Sequence, residues 1–275
     1  MKILVSTGAI RKRGGKPYTE FKEYKRILDC DGFEFMMDRD WYECIDKIVD
    51  FFRTNDIYTP TFHCTKSIGE GFSKGGAEDI KDSVEKYRIN ARMARDLGAT
   101  KMVMHLWDGI TSDANFDNNI REYKAVKEIS DEYGLDLLIE NVVCNHRTPM
   151  ENWITLVKEY PDIHFVFDTK MAAFHGELEL LYAKEYERLW RDGHIKHYHV
   201  NDYAGGIKDW ANLKTLPIGA GHVDFNRFFG FLKSIGYDDT ITLEATACDA
   251  AGEVNLEMIK KQIAYVKSIL KEGQH

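Results

Sequence analysis

The chain alternates short apolar runs with helical patterns eight times, and few folds accept that arrangement. The runs are MKILVSTG (1–8), GFEFMMD (32–38), YTPTFHC (58–64), TKMVMHL (100–106), LDLLIEN (135–141), IHFVFDT (163–169), IKHYHVND (195–202) and DTITLEA (239–245). Each has strand length and an apolar centre. The segments between them place apolar residues at helical spacing, as at Ile80, Val84, Tyr87, Ala91 and Ala94 over 77–97. Trp153, Leu156 and Val157 do so over 150–160, and Phe225, Phe228, Phe229, Leu232 and Ile235 over 223–235. Gly98, Gly134 and Gly236 stand where a left-handed residue would end a helix before the next strand. Eight βα units in 275 residues predict an α/β fold, a closed (β/α)8 TIM barrel, as one domain over 1–275. An open doubly wound sheet fits less well, because STGAIRKRGG (6–15) after the first run lacks the Gly-x-Gly-x-x-Gly phosphate loop.

Composition narrows the partners. The formal net charge of −8 disfavours a protein whose main task is to hold nucleic acid, which asks for a basic surface. Cys30, Cys44, Cys64, Cys144 and Cys248 form no Cys-x-x-Cys pair, so reduced thiols in the cytoplasm are expected. The apolar run after Met1 is too short for a secretion signal or a membrane span, so no membrane attachment is expected.

Polarity along the strands locates the chemistry. Alternate strand residues face opposite sides, and in a barrel one parity faces the lumen. In HIKHYHVND (194–202), His197, His199 and Asn201 share one side, while Tyr198 and Val200 share the other. Asp136, Leu138 and Glu140 share a side in the fifth run, as do His164, Val166 and Asp168 in the sixth. Thr240, Thr242 and Glu244 do so in the eighth. The lumen parity thus ends in Glu140, Asp168, His199 and Glu244, each at the C-terminal end of its strand, where barrel active sites are built. Three carboxylates and an imidazole gathered together call for a cation. Their donor set suits one divalent metal ion, Mn²⁺ ahead of Mg²⁺, Co²⁺ or Zn²⁺.

Further residues are candidates for substrate binding, each with a plainer structural alternative. His63 and His105 share the lumen parity of their strands and read as substrate contacts, as further metal ligands, or as satisfied structural histidines. Glu34 reads as a hydroxyl-binding acid or a charge at the barrel bottom. Trp107 reads as a stacking platform for a sugar or as packing. Lys170, next to Asp168, reads as a partner for a phosphate or carboxylate, or as a solvated cation. Gly205 and Gly206 read as a phosphate cradle or a turn. His146 follows Glu140 and could reach the mouth. Asn201 is placed to orient metal ligands, whereas Asn141 has outward parity and reads as a tie for a helix end.

The ordered set IEN (139–141), FDT (167–169), HVND (199–202) and LEA (243–245) resembles the xylose-isomerase-like sugar phosphate isomerase/epimerase family. LPIGAGHVDF (216–225) is similar to the family's Gly-x-Gly turn before the last helix. The resemblance covers nearly the whole chain. It implies a TIM barrel with one metal held by Glu140, Asp168, His199 and Glu244, and proton handling by Glu140 and Glu244. The superfamily also contains apurinic-site endonucleases with three zincs. Met171 stands where their Asp-x-x-His needs histidine, and DWANLKTLPIG (209–219) lacks their Asp-x-His. His175 is the residue available to replace the missing substrate histidine. The arginine that some ketose epimerases carry after the seventh strand is absent from DYAGGIKDW (202–210).

The reaction so implied is metal-dependent isomerisation or epimerisation of a sugar or sugar phosphate. A proton leaves carbon next to a carbonyl, the metal stabilises the enediolate, and two glutamates exchange the proton. A sugar-acid or inositol-derivative dehydratase begins with the same abstraction and stays open, as does a metal-holding barrel that only binds carbohydrate. Association as a homodimer or homotetramer is left open.

Overall fold

The computed structural model describes residues 1–10, 17–248 and 253–271. The RKRGG part of the first loop lies outside the described residues. Eight parallel strands close in sequence order into a barrel, β1 pairing with β8. They are β1 (Lys2–Ser6), β2 (Gly32–Met36), β3 (Thr61–His63), β4 (Lys101–Met104), β5 (Asp136–Glu140), β6 (His164–Asp168), β7 (Ile195–Val200) and β8 (Thr240–Leu243). Every one lies inside a run expected from the sequence. The α-helices are α1 (Phe21–Ile27), α2 (Ile45–Thr54), α3 (Ser67–Lys74), α4 (Ala77–Asp96), α5 (Phe116–Glu132), α6 (Pro149–Glu159), α7 (Thr169–His175), α8 (Arg188–Arg191), α9 (Phe225–Ser234) and α10 (Leu256–Lys271).

The helix-facing parity builds the main core. Trp153 of α6 stacks on Phe165 of β6, with ring centroids 4.3 Å apart. Phe35 of β2 stacks on Phe62 of β3, and Tyr198 of β7 packs edge-on against Phe228 of α9. Each such side chain contributes on the order of 2 kcal/mol through burial. The lumen parity is different. One small apolar cluster, Val103, Leu138 and Val166, plugs the barrel. Most other buried lumen residues are polar, among them Glu34, Thr61, His197 and Thr242, with Leu4 of β1 an apolar exception. Gly98 and Gly236 have φ of 82° and 69°, the left-handed conformation that ends α4 and closes the turn after α9.

Among the described residues no helix is long and apolar enough to cross a membrane. The five cysteines are free thiols.

Candidate active site

The register of the strands decides which lumen residues reach the mouth. Glu140 pairs across the sheet with Val166, so Asp168 stands one lumen step higher. His199 pairs with Asp168 on one side and Thr242 on the other, so Glu244 also stands one step above its strand partner. The stagger brings the ligand atoms of Glu140, Asp168, His199 and Glu244 within 4.8 Å of one another. All four are buried except Glu244, which is partly exposed.

Hydrogen bonds fix each member. Asp168 caps α7 by accepting from the Met171 amide at 2.8 Å, and its backbone is clamped by Asn141. Asn201 donates to Asp168 Oδ2 and Glu244 Oε2, both at 3.1 Å. Asn141 therefore ties the end of β6 and Asn201 braces two carboxylates. His199 offers Nδ1 to Glu140 Oε1 at 3.1 Å and faces Glu244 Oε2 at 3.4 Å, while its Nε2 meets Glu34 Oε1 at 3.1 Å.

Electrostatics show that the set is short of positive charge. Like charges within 4.8 Å of one another repel by roughly 3 kcal/mol or more per pair at an effective dielectric of about 20. Burial, reinforced by Glu140 and Glu244 against the opposing Lys170, raises the Asp168 carboxyl to about 6. Burial acts to raise Glu140 and Glu34 too, but the surrounding imidazoles prevail and hold both well below the usual carboxylate range. Burial opposes charge on His199, yet Glu244, Glu34 and Glu140 lift it well above an ordinary histidine. These carboxylates favour the imidazolium, whose two N–H groups then meet Glu140 on one side and Glu34 on the other. A divalent cation held by the set would take the place of the Nδ1 proton, leaving the Nε2 proton for Glu34. The residues present therefore fit a hard or borderline cation held by three carboxylates and one imidazole.

His63 and His105 converge on the same centre. Their Nε2 atoms lie 3.1 and 2.8 Å from Glu140 Oε2, and the three residues also hold ligand atoms within 4.8 Å of one another. The carbonyl of Cys64 holds His63 Nδ1 at 2.8 Å, and Asp108 braces His105 Nδ1 at 2.5 Å. Both histidines line a cavity of about 150 Å³ with Glu140, Lys170 and Glu244. Ser6, Met36, Lys66, Met171, Thr215 and Thr246 are also on its wall.

Three candidates for substrate contact are placed elsewhere. Trp107 is wholly buried and packs edge-on against Phe116 of α5, 5.4 Å between centroids. His175, at the end of α7, turns away and accepts from the Cys144 amide at 3.1 Å. Burial, helped by Lys208, pushes its imidazole down to about 4. Glu34 sits beneath the mouth, wholly buried, with Thr242 donating to it at 2.8 Å and His197 Nε2 at 3.0 Å. His146 lies on a separate surface cleft beside Asp113. Gly206 gives its carbonyl to the Tyr203 hydroxyl, so the Gly205–Gly206 turn is tied to its own loop.

Two structural residues escaped the sequence reading. Asp108 is one, and Asp202 is the other. Asp202 Oδ2 accepts from the amides of Gly219 and Gly221 at 2.8 Å, and Oδ1 from Val223 at 3.1 Å. It thereby grips the Gly-x-Gly turn. A side chain on Gly221 would meet the Tyr203 carbonyl oxygen at 2.2 Å.

Comparison with known proteins agrees with this architecture. An uncharacterized protein of Methanocaldococcus jannaschii is 30% identical over 192 residues, which span 65% of this chain and 59% of that protein. An L-ribulose 3-epimerase structure superposes with a TM-score of 0.76 at 16% identity, covering 98% of this chain and 95% of the other. D-psicose 3-epimerase of Clostridium cellulolyticum H10 gives 0.73 at 13% identity over 98% and 99%. The zinc-bound IolI protein gives 0.73 at 16% identity over 99% of both chains. Residues 22–269 match the profile of the xylose isomerase-like TIM barrel. The chain belongs to the xylose isomerase-like TIM barrel family.

Proposed function

We propose that the protein is a divalent-metal-dependent isomerase or epimerase of a sugar or sugar derivative, acting by proton transfer at carbon next to a carbonyl. The observation that carries this reading is the convergence of Glu140, Asp168, His199 and Glu244 beside a polar cavity at the C-terminal end of the barrel. These four would hold the cation, with Mn²⁺ the favoured ion. When bound, such an ion supplies positive charge where the carbonyl oxygen becomes negative.

Glu140 and Glu244 are the two carboxylates of the set that line the cavity, so either can take a proton from substrate and the other return one. General acid–base catalysis of this kind contributes about 10²–10⁴-fold. His63 and His105, both directed at Glu140 Oε2, hold that carboxylate in one orientation beside the cavity. Asn201, bonded to Asp168 and Glu244 together, keeps the two acids apart from each other's lone pairs. The relatives named above as 3-epimerases agree with the reading.

Exchange of carbon-bound hydrogen in D₂O tests it, over a panel of ketoses, sugar phosphates and keto acids with and without Mn²⁺. Metal-dependent exchange that vanishes in Glu140→Gln and Glu244→Gln is expected. Full exchange in Glu244→Gln would defeat the assignment. Loss of water from the substrate would move the protein to the dehydratase reading.

A further inference from the structure

We propose that the substrate carries a carboxylate or phosphate group and that Lys170 is the residue that recognises it. This rests on the proton-transfer reading and names the chemical class of its substrate. Lys170 is the second residue of α7, and only 9% of its surface is exposed. It lines the same cavity as Glu140 and Glu244. Burying an ammonium is costly unless it is paired and hydrogen-bonded.

Its partner is nevertheless neutral. Lys170 Nζ donates to Thr215 Oγ1 at 3.1 Å, and among the described residues no carboxylate forms an ion pair with it. The ammonium has three protons, and two remain for a ligand. Lys170 acts on Asp168 through space, but its hydrogen bond runs to Thr215 on the cavity wall, so its protons are not taken up by Glu140, Asp168 or Glu244. Lys66 stands on the same wall and adds a second positive charge. The hydroxyl-bearing residues Ser6, Thr215 and Thr246 line the cavity too, and hydroxyl groups suit an oxyanion. Among the described residues only His63 and His105 supply rings to the lining, and no Phe, Tyr or Trp face is among them for stacking a sugar. The wall is built to hold charge.

The test is calorimetric titration of the Mn²⁺-loaded protein with three probes that differ at one carbon: D-fructose, D-fructose 6-phosphate and D-fructuronate. At least one anionic probe should bind tenfold or more tightly than D-fructose, since a desolvated charge-assisted pair is being added. The phosphate and the carboxylate arms show which anion is preferred. Lys170→Met should bring the three affinities within threefold of one another, and Lys170→Arg should retain the preference because it keeps the charge. Equal binding of all three probes by the wild type overturns the inference, as does a preference that survives in Lys170→Met. If Lys170→Met does not fold, the wild-type comparison and Lys170→Arg still decide. Deuterium exchange on the same probes separates the two proposals. Exchange with D-fructose equal to that with the anions keeps the proton-transfer reading and removes the anion. Anion preference without exchange on any probe does the reverse.

Discussion

Replacing Glu34 by glutamine should loosen the metal centre without touching a ligand. Glu34 is wholly buried and receives Thr242 Oγ1 at 2.8 Å, His197 Nε2 at 3.0 Å and His199 Nε2 at 3.1 Å. Three donors point at one carboxylate. Glutamine keeps one acceptor oxygen and turns an amide NH₂ toward a donor. At least one charge-assisted hydrogen bond is lost, about 1.5–3 kcal/mol, and removing one partner of a buried ion pair reaches about 3–5 kcal/mol. A stability loss of about 2–4 kcal/mol is expected in the metal-free protein. His199 would also lose the acceptor that fixes its Nε2 proton, so its Nδ1 lone pair would no longer be pre-set for the cation. Loss of such an outer partner lowers metal affinity by about 10–100-fold. Urea unfolding and Mn²⁺ calorimetry measure the two effects. Glu34→Gln with Mn²⁺ affinity within twofold of wild type would refute the claim that Glu34 orients His199.

Other perturbations separate the site from its surroundings. Trp107→Phe should reduce stability by about 1–3 kcal/mol, a core truncation, and leave KM for any substrate unchanged; a several-fold rise in KM would place the indole at the substrate after all. Glu177 is buried, and that burial raises its carboxyl to about 7, so the folded chain binds this proton more tightly than the unfolded one. Its contribution to stability is full below about 4.5 and lost as pH rises through about 7, by roughly 3 kcal/mol. Glu177→Gln should flatten that slope in unfolding measured from pH 4 to 8, and an unchanged slope counts against it. Gly221→Ala should displace the turn gripped by Asp202 and cost about 1–3 kcal/mol, because the added carbon lands 2.2 Å from the Tyr203 carbonyl oxygen; unaltered thermal stability would show that the loop yields freely.

Much of the architecture can be read from periodicity alone, because strand alternation and helix spacing are local properties. The parity rule works for Glu140, Asp168, His199 and Glu244, since all four continue the alternation of well-formed strands. It carries one residue past a strand end, to His105 and Glu244, and no further. β4 ends at Met104, so the backbone has left the pleat before Trp107, and the ring falls into the core beside Phe116. His175 is misplaced for a similar reason. The residues after Asp168 form α7, and a helix carries its last side chain back toward Cys144. Glu34 has the correct parity at the wrong depth. Its strand partner is Thr61, while Met36 pairs with His63 and reaches the cavity. Depth depends on register between strands, which no single strand encodes. Asp202 stands inside HVND, but its hold on the Gly-x-Gly turn and the brace of Asp108 on His105 are contacts that neither spacing nor strand parity encodes.

The most direct measurement is a Mn²⁺ titration of the metal-stripped chain, followed by anomalous diffraction from crystals of the loaded form. One equivalent should bind, with its peak bounded by Glu140, Asp168, His199 and Glu244, and Asp168→Asn should abolish it. A chain that takes up no ion, or takes it up away from those four side chains, contradicts the account.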